Sequence, residues 1–345
     1  MRALFGGRRR WVRTALGVLF CLPFLFLCGC GVSEQSTGLF AMDTLMELRV
    51  WARSGALDTL TEASGLIREL EECCSVTGDG ELARLNAEGS GAVGSTLSAL
   101  LSGALDLCDR TEGQLDITLE PVSELWGFRS EGEAVRSAPE ENEIVQALAR
   151  TGWDRVSLEE GYCRLEEGMA LDLGAVAKGF AGDCLVELME QRQVDRALFY
   201  LGGNVQTYGS KPGGEPWRVA VTDPNDTTGQ LGTLEVFGTK SVVTSGGYQR
   251  YFSDPEGNVY HHILDPETGM PADSGLLSVT IVSESGLLAD ALSTALFVGG
   301  ASAVLEQYRQ YGDFEALLVD GDGTLWLTPG LADCFVSQRE WRILE

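Results

Sequence analysis

Residues 289 to 294 read Ala-Asp-Ala-Leu-Ser-Thr. On a helix, Asp290, Ser293 and Thr294 stand at i, i+3 and i+4, so a carboxylate and two hydroxyls share one face. An oxygen-only set suits a hard cation, and Mg2+ commonly takes one carboxylate and completes its shell with water and substrate phosphate. The same residues also suit an aspartate near a helix N-terminus, with small polar neighbours packed on another element. A second stretch, Leu171-Asp172-Leu173-Gly174-Ala175-Val176-Ala177-Lys178-Gly179, reads as a strand end, a glycine turn and a helix start. Helix N-termini attract anions through free N–H groups and the dipole. Lys178 would add a full charge toward a phosphate, although a solvated lysine has the same pattern. Residues 200–204 and 243–248 each place glycine and a small polar residue at a strand end, where backbone can approach a ligand or simply turn. The chain has only two histidines, and they are neighbours, His261 and His262, before an Asp265-Pro266 turn that Gly269 helps to close. In an extended segment they point to opposite faces. Either suits a general base, with an unperturbed pKa of about 6.5, and either suits ordinary packing.

Such groups need elements to hold them. Residues 40–51 read as a strand, 56–72 and 97–111 as helices, and Pro139-Glu140-Glu141 as the start of a helix to about residue 149. A hairpin is expected over 156–165. A strand at 171–173 leads into a helix to about residue 190. Strands follow at 197–201, 205–208, 217–221, 233–237 and 277–282. A helix over 287–298 is expected to stop at Gly299-Gly300, and a hairpin closes around Gly321-Asp322-Gly323. Residues 127–137 form the longest expected loop. Strands group together instead of alternating with helices, which favours an α+β domain.

The N-terminus has the character of a leader. Five arginines precede an apolar stretch at 15–28, too short for a spanning helix and suited to a signal peptide. It ends Leu27-Cys28-Gly29-Cys30, which resembles a bacterial lipobox. We read residues 1–29 as signal peptide, Cys30 as a lipidated first residue, 30–38 as a polar tether and 39–345 as the folded domain. The lipid would hold the protein on the outer, extracytoplasmic face of the cell membrane. The full chain carries 25 basic and 51 acidic residues, a net charge of −26. Without the leader arginines the net is −31, which argues against nucleic acid or anionic lipid headgroups as partners. Nine cysteines without C-x-x-C or regular spacing indicate neither a zinc site nor a disulfide framework. Cys108 and Cys184 read as buried small residues, and the adjacent Cys73 and Cys74 receive no role.

Together these stretches resemble the FAD:protein FMN transferase (ApbE) family. Its segments appear in order as Met42-Asp43-Thr44, Gly113-Gln114-Leu115-Asp116, the loop from Asp172 to Gly179, Leu201-Gly202-Gly203-Asn204, Thr244-Ser245-Gly246, the run from His262 to Gly269, and the run from Ala289 to Thr294. The resemblance implies a single large mixed domain, T-fold-like, with a mostly antiparallel sheet and flanking helices. It implies cleavage of FAD at its diphosphate, transfer of FMN to a Thr or Ser hydroxyl of a target flavoprotein subunit, and release of AMP with Mg2+. In those terms Asp290 and Thr294, the carbonyl of Ala175 and Ser293 are the metal set. Met42, Gln114, Leu115, Asp116, Asp172, Lys178, Ser245 and Ile263 bind FAD, and His262 is the base. His261 is then a bystander. Asp43 stands where the family usually has glycine, and Val76 where many relatives have tyrosine. An FAD pyrophosphatase and a non-catalytic flavin-binding lipoprotein are the alternatives.

Overall fold

The computed structural model describes residues 31–128 and 136–345. Nine strands form one sheet whose spatial order is their order along the chain. They are β1 (Ser33–Ala41), β2 (Thr44–Ala52), β3 (Arg196–Leu201), β4 (Asn204–Tyr208), β5 (Lys240–Gly246), β6 (Leu276–Ser283), β7 (Phe314–Asp320), β8 (Leu325–Leu327) and β9 (Trp341–Ile343). Neighbours are antiparallel up to β8, and β9 joins it in parallel. The helices are α1 (Ala56–Cys74), α2 (Glu81–Glu88), α3 (Ser95–Arg110), α4 (Glu120–Trp126), α5 (Glu141–Leu148), α6 (Ala177–Gln191) and α7 (Gly286–Tyr311). The mixed, mostly antiparallel α+β architecture is the one expected.

Helices α1, α6 and α7 cover one face of the sheet. A smaller sheet of Trp217–Asp223, Asp226–Val236 and Phe335–Val336 covers the other. Strands β6 and β7 are therefore buried on both sides. Val279, Ile281, Ala316 and Leu318 pack with α7, while Val282, Leu317 and Val319 pack with the smaller sheet. Double cover is why these strands read as near-continuous apolar runs. Helix α7 is long and apolar enough to cross a membrane, but most of it is buried against β5–β7. Each fully buried leucine there, such as Leu292 or Leu296, contributes about 2 kcal/mol.

Two glycines set the spacing of α6 and α7. A Cβ on Gly179 would stand 2.1 Å from the Gly286 carbonyl oxygen, and one on Gly286 would stand 2.3 Å from that of Gly179. The backbones touch, and no larger residue fits.

Four expectations are corrected. Residues 40–51 are not one strand but two, β1 and β2, joined by Met42 and Asp43, which have φ of 50° and 57°. That is a two-residue hairpin turn built without glycine, so its usual sequence signal is missing. The stretch expected as a tether over 30–38 belongs largely to β1. It pairs residue by residue with β2 from Ser33 onward, and its polar side chains suit an edge strand. Residues 171–173 form no strand: Ala170 bridges to Leu119, and the Asp172 N–H donates to the Ile117 carbonyl at 2.8 Å. Helix α7 does not stop at Gly299-Gly300. It breaks there, with Gly300 at φ 74°, and resumes to Tyr311. The leader and Cys30 lie outside the described residues, as do residues 129–135 of the expected long loop. The helix predicted after Pro139 is α5, opened by a capping box between Glu140 and Glu143.

Candidate active site

Asp290 sits in the second turn of α7 and is 4% exposed. Its Oδ2 accepts the Gly179 N–H at 2.7 Å. Val176, the residue before α6, offers that helix no side-chain cap, so the carboxylate of Asp290 caps α6 from another helix. The anion drawn to this N-terminus is thus the protein's own. Burial pushes the Asp290 pKa up. The Lys178 ammonium opposes this first, followed by the Asn204 side chain and the Gly179 and Lys178 amides.

Gly179 is the third residue of α6, so its N–H is one of the orphan donors at the helix start, and Asp290 satisfies it. Ala175 lies just before the helix, and among the described residues no hydrogen bond reaches its carbonyl. Ala175 is half-buried, and its oxygen keeps its lone pairs for another partner.

The hydroxyls near Asp290 form a directed chain. Ser293 donates to the Asp290 carbonyl at 2.8 Å. The 2.8 Å contact between Ser245 and Ser293 then uses the Ser245 proton, and the 3.3 Å contact between Thr294 and Ser245 uses the Thr294 proton. The chain leaves Thr294 with unshared lone pairs. Ser293 is fully buried and already committed; Thr294 is half-buried.

A divalent ion fits this donor set. The groups are one carboxylate, one carbonyl without a hydrogen bond and one hydroxyl with lone pairs to share, all oxygen, as a hard cation requires. A carboxylate offers about four lone-pair sites, so the Gly179 bond leaves room on Asp290. Among the described residues no three His, Cys, Asp or Glu side chains gather to hold a metal. The shell would have to be completed by water or substrate oxygens.

His262 follows the short strand Val259–His261, which pairs with Tyr251–Ser253. Its backbone N–H and its Nδ1 both reach the Arg250 carbonyl at 3.1 Å. A carbonyl only accepts, so Nδ1 carries the proton and Nε2 keeps its lone pair. Burial, with the charges of Arg250, His261 and Lys178 adding to it, pushes the His262 pKa down to about 4. The imidazole is neutral at physiological pH, so Nε2 has a lone pair to offer a proton. The turn behind it is anchored by Trp126, whose Nε1 donates to the Gly269 carbonyl at 2.8 Å, and by Ile144, which packs against Gly269.

His261 has a structural place. Its Nε2 lies 3.1 Å from the Ala272 carbonyl, its ring meets Phe297 edge-on at 5.5 Å, and Gly247 lies against it. Burial lowers its pKa as well.

The other expected residues divide. Asp172 shapes the loop before α6 by accepting the Gly174 N–H at 2.8 Å, and Lys178 Nζ reaches the Gly174 carbonyl at 3.3 Å. Met42 holds the β1–β2 turn through its N–H to Glu71 at 2.6 Å. That turn abuts the next one: a Cβ on Gly202 would stand 2.2 Å from Thr44. Gln114 lays its amide against Gly299 of α7. Asp116 is buried and binds the Thr118 N–H and hydroxyl at 2.7 and 2.6 Å, which organises its own turn. Leu115 and Ile263, at 2% and 5% exposed, are core side chains, so what they can offer a ligand is backbone. Val76 is partly buried against the α3 core cluster. Asn204 ends the Leu201–Asn204 segment that carries the resemblance. It is 4% exposed, its Nδ2 has no hydrogen-bond partner among the described residues, and it faces the Asp290 carboxylate.

A profile of the ApbE family matches residues 42–318. The chain belongs to the ApbE family. It is 34% identical to the FAD:protein FMN transferase of Treponema pallidum (strain Nichols), over 92% of this chain and 94% of that one. It is 31% identical to the enzyme of the same name from Salmonella typhimurium, over 72% of each. Among solved structures, the ApbE protein of Thermotoga maritima superposes with a TM-score of 0.80 at 28% identity, covering 89% of this chain and 100% of that one. The flavin transferase ApbE of Vibrio cholerae gives 0.78 at 25% identity, covering 88% and 99%. These ApbE relatives share the large mixed sheet described above.

Proposed function

We propose that this ApbE-family flavin transferase cleaves FAD with the help of a divalent ion, Mg2+ in the first place, and attaches FMN to a Thr or Ser hydroxyl of a target flavoprotein. The observation that carries this reading is the buried Asp290 carboxylate, one turn before Thr294 on α7 and bonded at 2.7 Å to the Gly179 N–H that ends the Asp172–Gly179 loop. The charge of Lys178, the residue before Gly179, lowers the pKa of both Asp290 and His262. A bound ion would supply charge neutralisation at the FAD diphosphate; Asp290, Thr294 and the Ala175 carbonyl would hold it, with Ser293 behind them. Phosphoryl transfer asks a protein mostly for positioning and charge balance. His262 Nε2 takes the proton of the acceptor hydroxyl. The hydroxyl oxygen bonds to the phosphorus on the riboflavin side, the bond to the bridging oxygen breaks, and AMP leaves with the electron pair. Lys178 would offset negative charge on the diphosphate. Asp172, Met42, Gln114, Asp116 and Ser245, with the Leu115 and Ile263 backbone, form the surroundings that FAD would contact.

The test is incubation with FAD, Mg2+ and a threonine-bearing acceptor peptide, read by mass spectrometry. Peptide carrying the added mass of FMN, lost with chelator and in Asp290→Ala, supports the transferase. Free FMN and AMP without labelled peptide would mean a pyrophosphatase. Intact FAD would mean a flavin carrier.

We also propose that lipidated Cys30 anchors the enzyme to the outer face of the membrane, on the strength of the basic leader, the apolar stretch at 15–28 and Leu27-Cys28-Gly29-Cys30. Cys30→Ala should move the protein from the membrane fraction to the soluble fraction. Retention on the membrane would sink the idea.

A further inference from the structure

Asp183 belongs to none of the stretches singled out for chemistry. It lies on α6, four residues beyond Gly179, and caps α7. Its Oδ1 accepts the Gly286 N–H at 2.5 Å, and its Oδ2 accepts the Leu287 N–H at 2.9 Å and the Ser285 hydroxyl at 3.1 Å. Asp290 lies on α7, four residues beyond Gly286, and accepts the Gly179 N–H at 2.7 Å. The two helices exchange the same interaction. Each supplies a glycine at the point of contact and, one turn later, an aspartate that takes up N–H groups at the start of the other. The local caps are weaker: Val176 gives α6 no side-chain bond, and Ser285 gives α7 one, to the Leu288 N–H.

The groups assigned above to the ion come from both sides of this crossing. Ala175 precedes α6, whereas Asp290 and Thr294 ride on α7. We propose that Asp183 is a positioning residue for the divalent-ion site: by clamping the first turn of α7 to α6, it fixes Asp290 and Thr294 relative to the Ala175 carbonyl without itself touching the ion. The proposal rests on the ion-site reading given under the proposed function. Without Asp183 the Gly286 and Leu287 N–H groups lose their shared acceptor, and α7 can slide or rotate on α6. Mg2+ tolerates little of that, since it demands near-octahedral geometry at about 2.0–2.1 Å.

Calorimetric titration of the metal-free chain with Mg2+ and with Mn2+, beside thermal melting, tests this. Asp183→Ala should weaken binding at least tenfold in a chain that still melts cooperatively. Asp183→Asn keeps a carbonyl acceptor for one amide and should fall between it and the parent. Asp313→Asn is the control for general destabilisation. It replaces the paired 2.7 Å bonds with Arg110 by at most one, removes the ion pair, and should lower the melting temperature while leaving ion affinity at the parental value. Asp290→Ala should abolish binding. If Asp290→Ala binds as the parent does, the ion-site reading is wrong. If Asp290→Ala loses the ion while Asp183→Ala binds like the parent, the positioning role alone is wrong. Should Asp183→Ala fail to fold, parental affinity in Asp183→Asn overturns the proposal equally well.

Discussion

Gly179 and Gly286 meet backbone to backbone, each filling the space where the other's Cβ would stand. Gly179→Ala must push α6 away from α7, and overpacking of this kind costs about 1–3 kcal/mol. Urea unfolding should register at least that loss. Gly65, inside α1, has open space around its Cβ position, so Gly65→Ala should stabilise by about 0.5–1 kcal/mol. Equal effects at the two sites would contradict the contact.

On the proposed mechanism His262→Ala removes the base and should cost about 100- to 10,000-fold in kcat/KM for transfer, while FAD binding measured by fluorescence should change little. Because the pKa of His262 is pushed down to about 4, the base stays unprotonated until pH approaches that value. The acid limb of kcat/KM should therefore lie between pH 4 and 5. A limb at the ordinary value of 6.5 would refute the assignment.

The same shift has a stability consequence. His261 and His262 both have pKa values below the 6.5 of an unfolded chain. As pH falls, the unfolded state takes up protons first. Their contribution is intact above pH 6.5 and is lost progressively as pH falls toward 4. Melting temperature followed from pH 7 to pH 4 should decline, and a His261→Phe, His262→Asn double variant should decline less.

Ser245 gives Thr294 somewhere to send its proton. Ser245→Ala frees the Thr294 hydroxyl to rotate and leaves Ser293 one hydrogen bond short. Loss of a group that orients a metal ligand typically costs about 10- to 100-fold in affinity, and Mn2+ titration should show it. Unchanged affinity would mean that Thr294 is oriented by other groups.

Asp43 occupies a left-handed position, φ 57°, at the second place of the β1–β2 turn. Glycine adopts this conformation without steric cost, so Asp43→Gly should raise stability by about 0.5 kcal/mol. A fall in melting temperature would show that the aspartate makes a compensating contact.

Much of the site could be read before the structure. The Asp290–Thr294 spacing, the lysine at the start of α6 and the histidine before a closed turn are local patterns, and local patterns survive in a single chain. The resemblance added Ala175, whose carbonyl lies just before α6 and accepts no hydrogen bond among the described residues. Asp183 escaped notice because its partners lie far along the chain, Gly286 at a separation of 103 residues. In retrospect a glycine four residues before an aspartate, at 179/183 and again at 286/290, was the available clue. In the fold, helices with clear periodicity were well placed. The β1–β2 hairpin was missed because Met42 and Asp43 turn the chain without the residues that usually announce it.

On the proposed reading Asp290 would hold the ion while it also caps α6, and this sets how the protein should behave without metal. Small zinc domains collapse when stripped, because nothing else restrains their ligands. Here a helix end already holds the key carboxylate through the Gly179 amide. Chelation should silence the protein and leave its architecture standing, so that returning the ion restores activity at once, with no refolding to wait for.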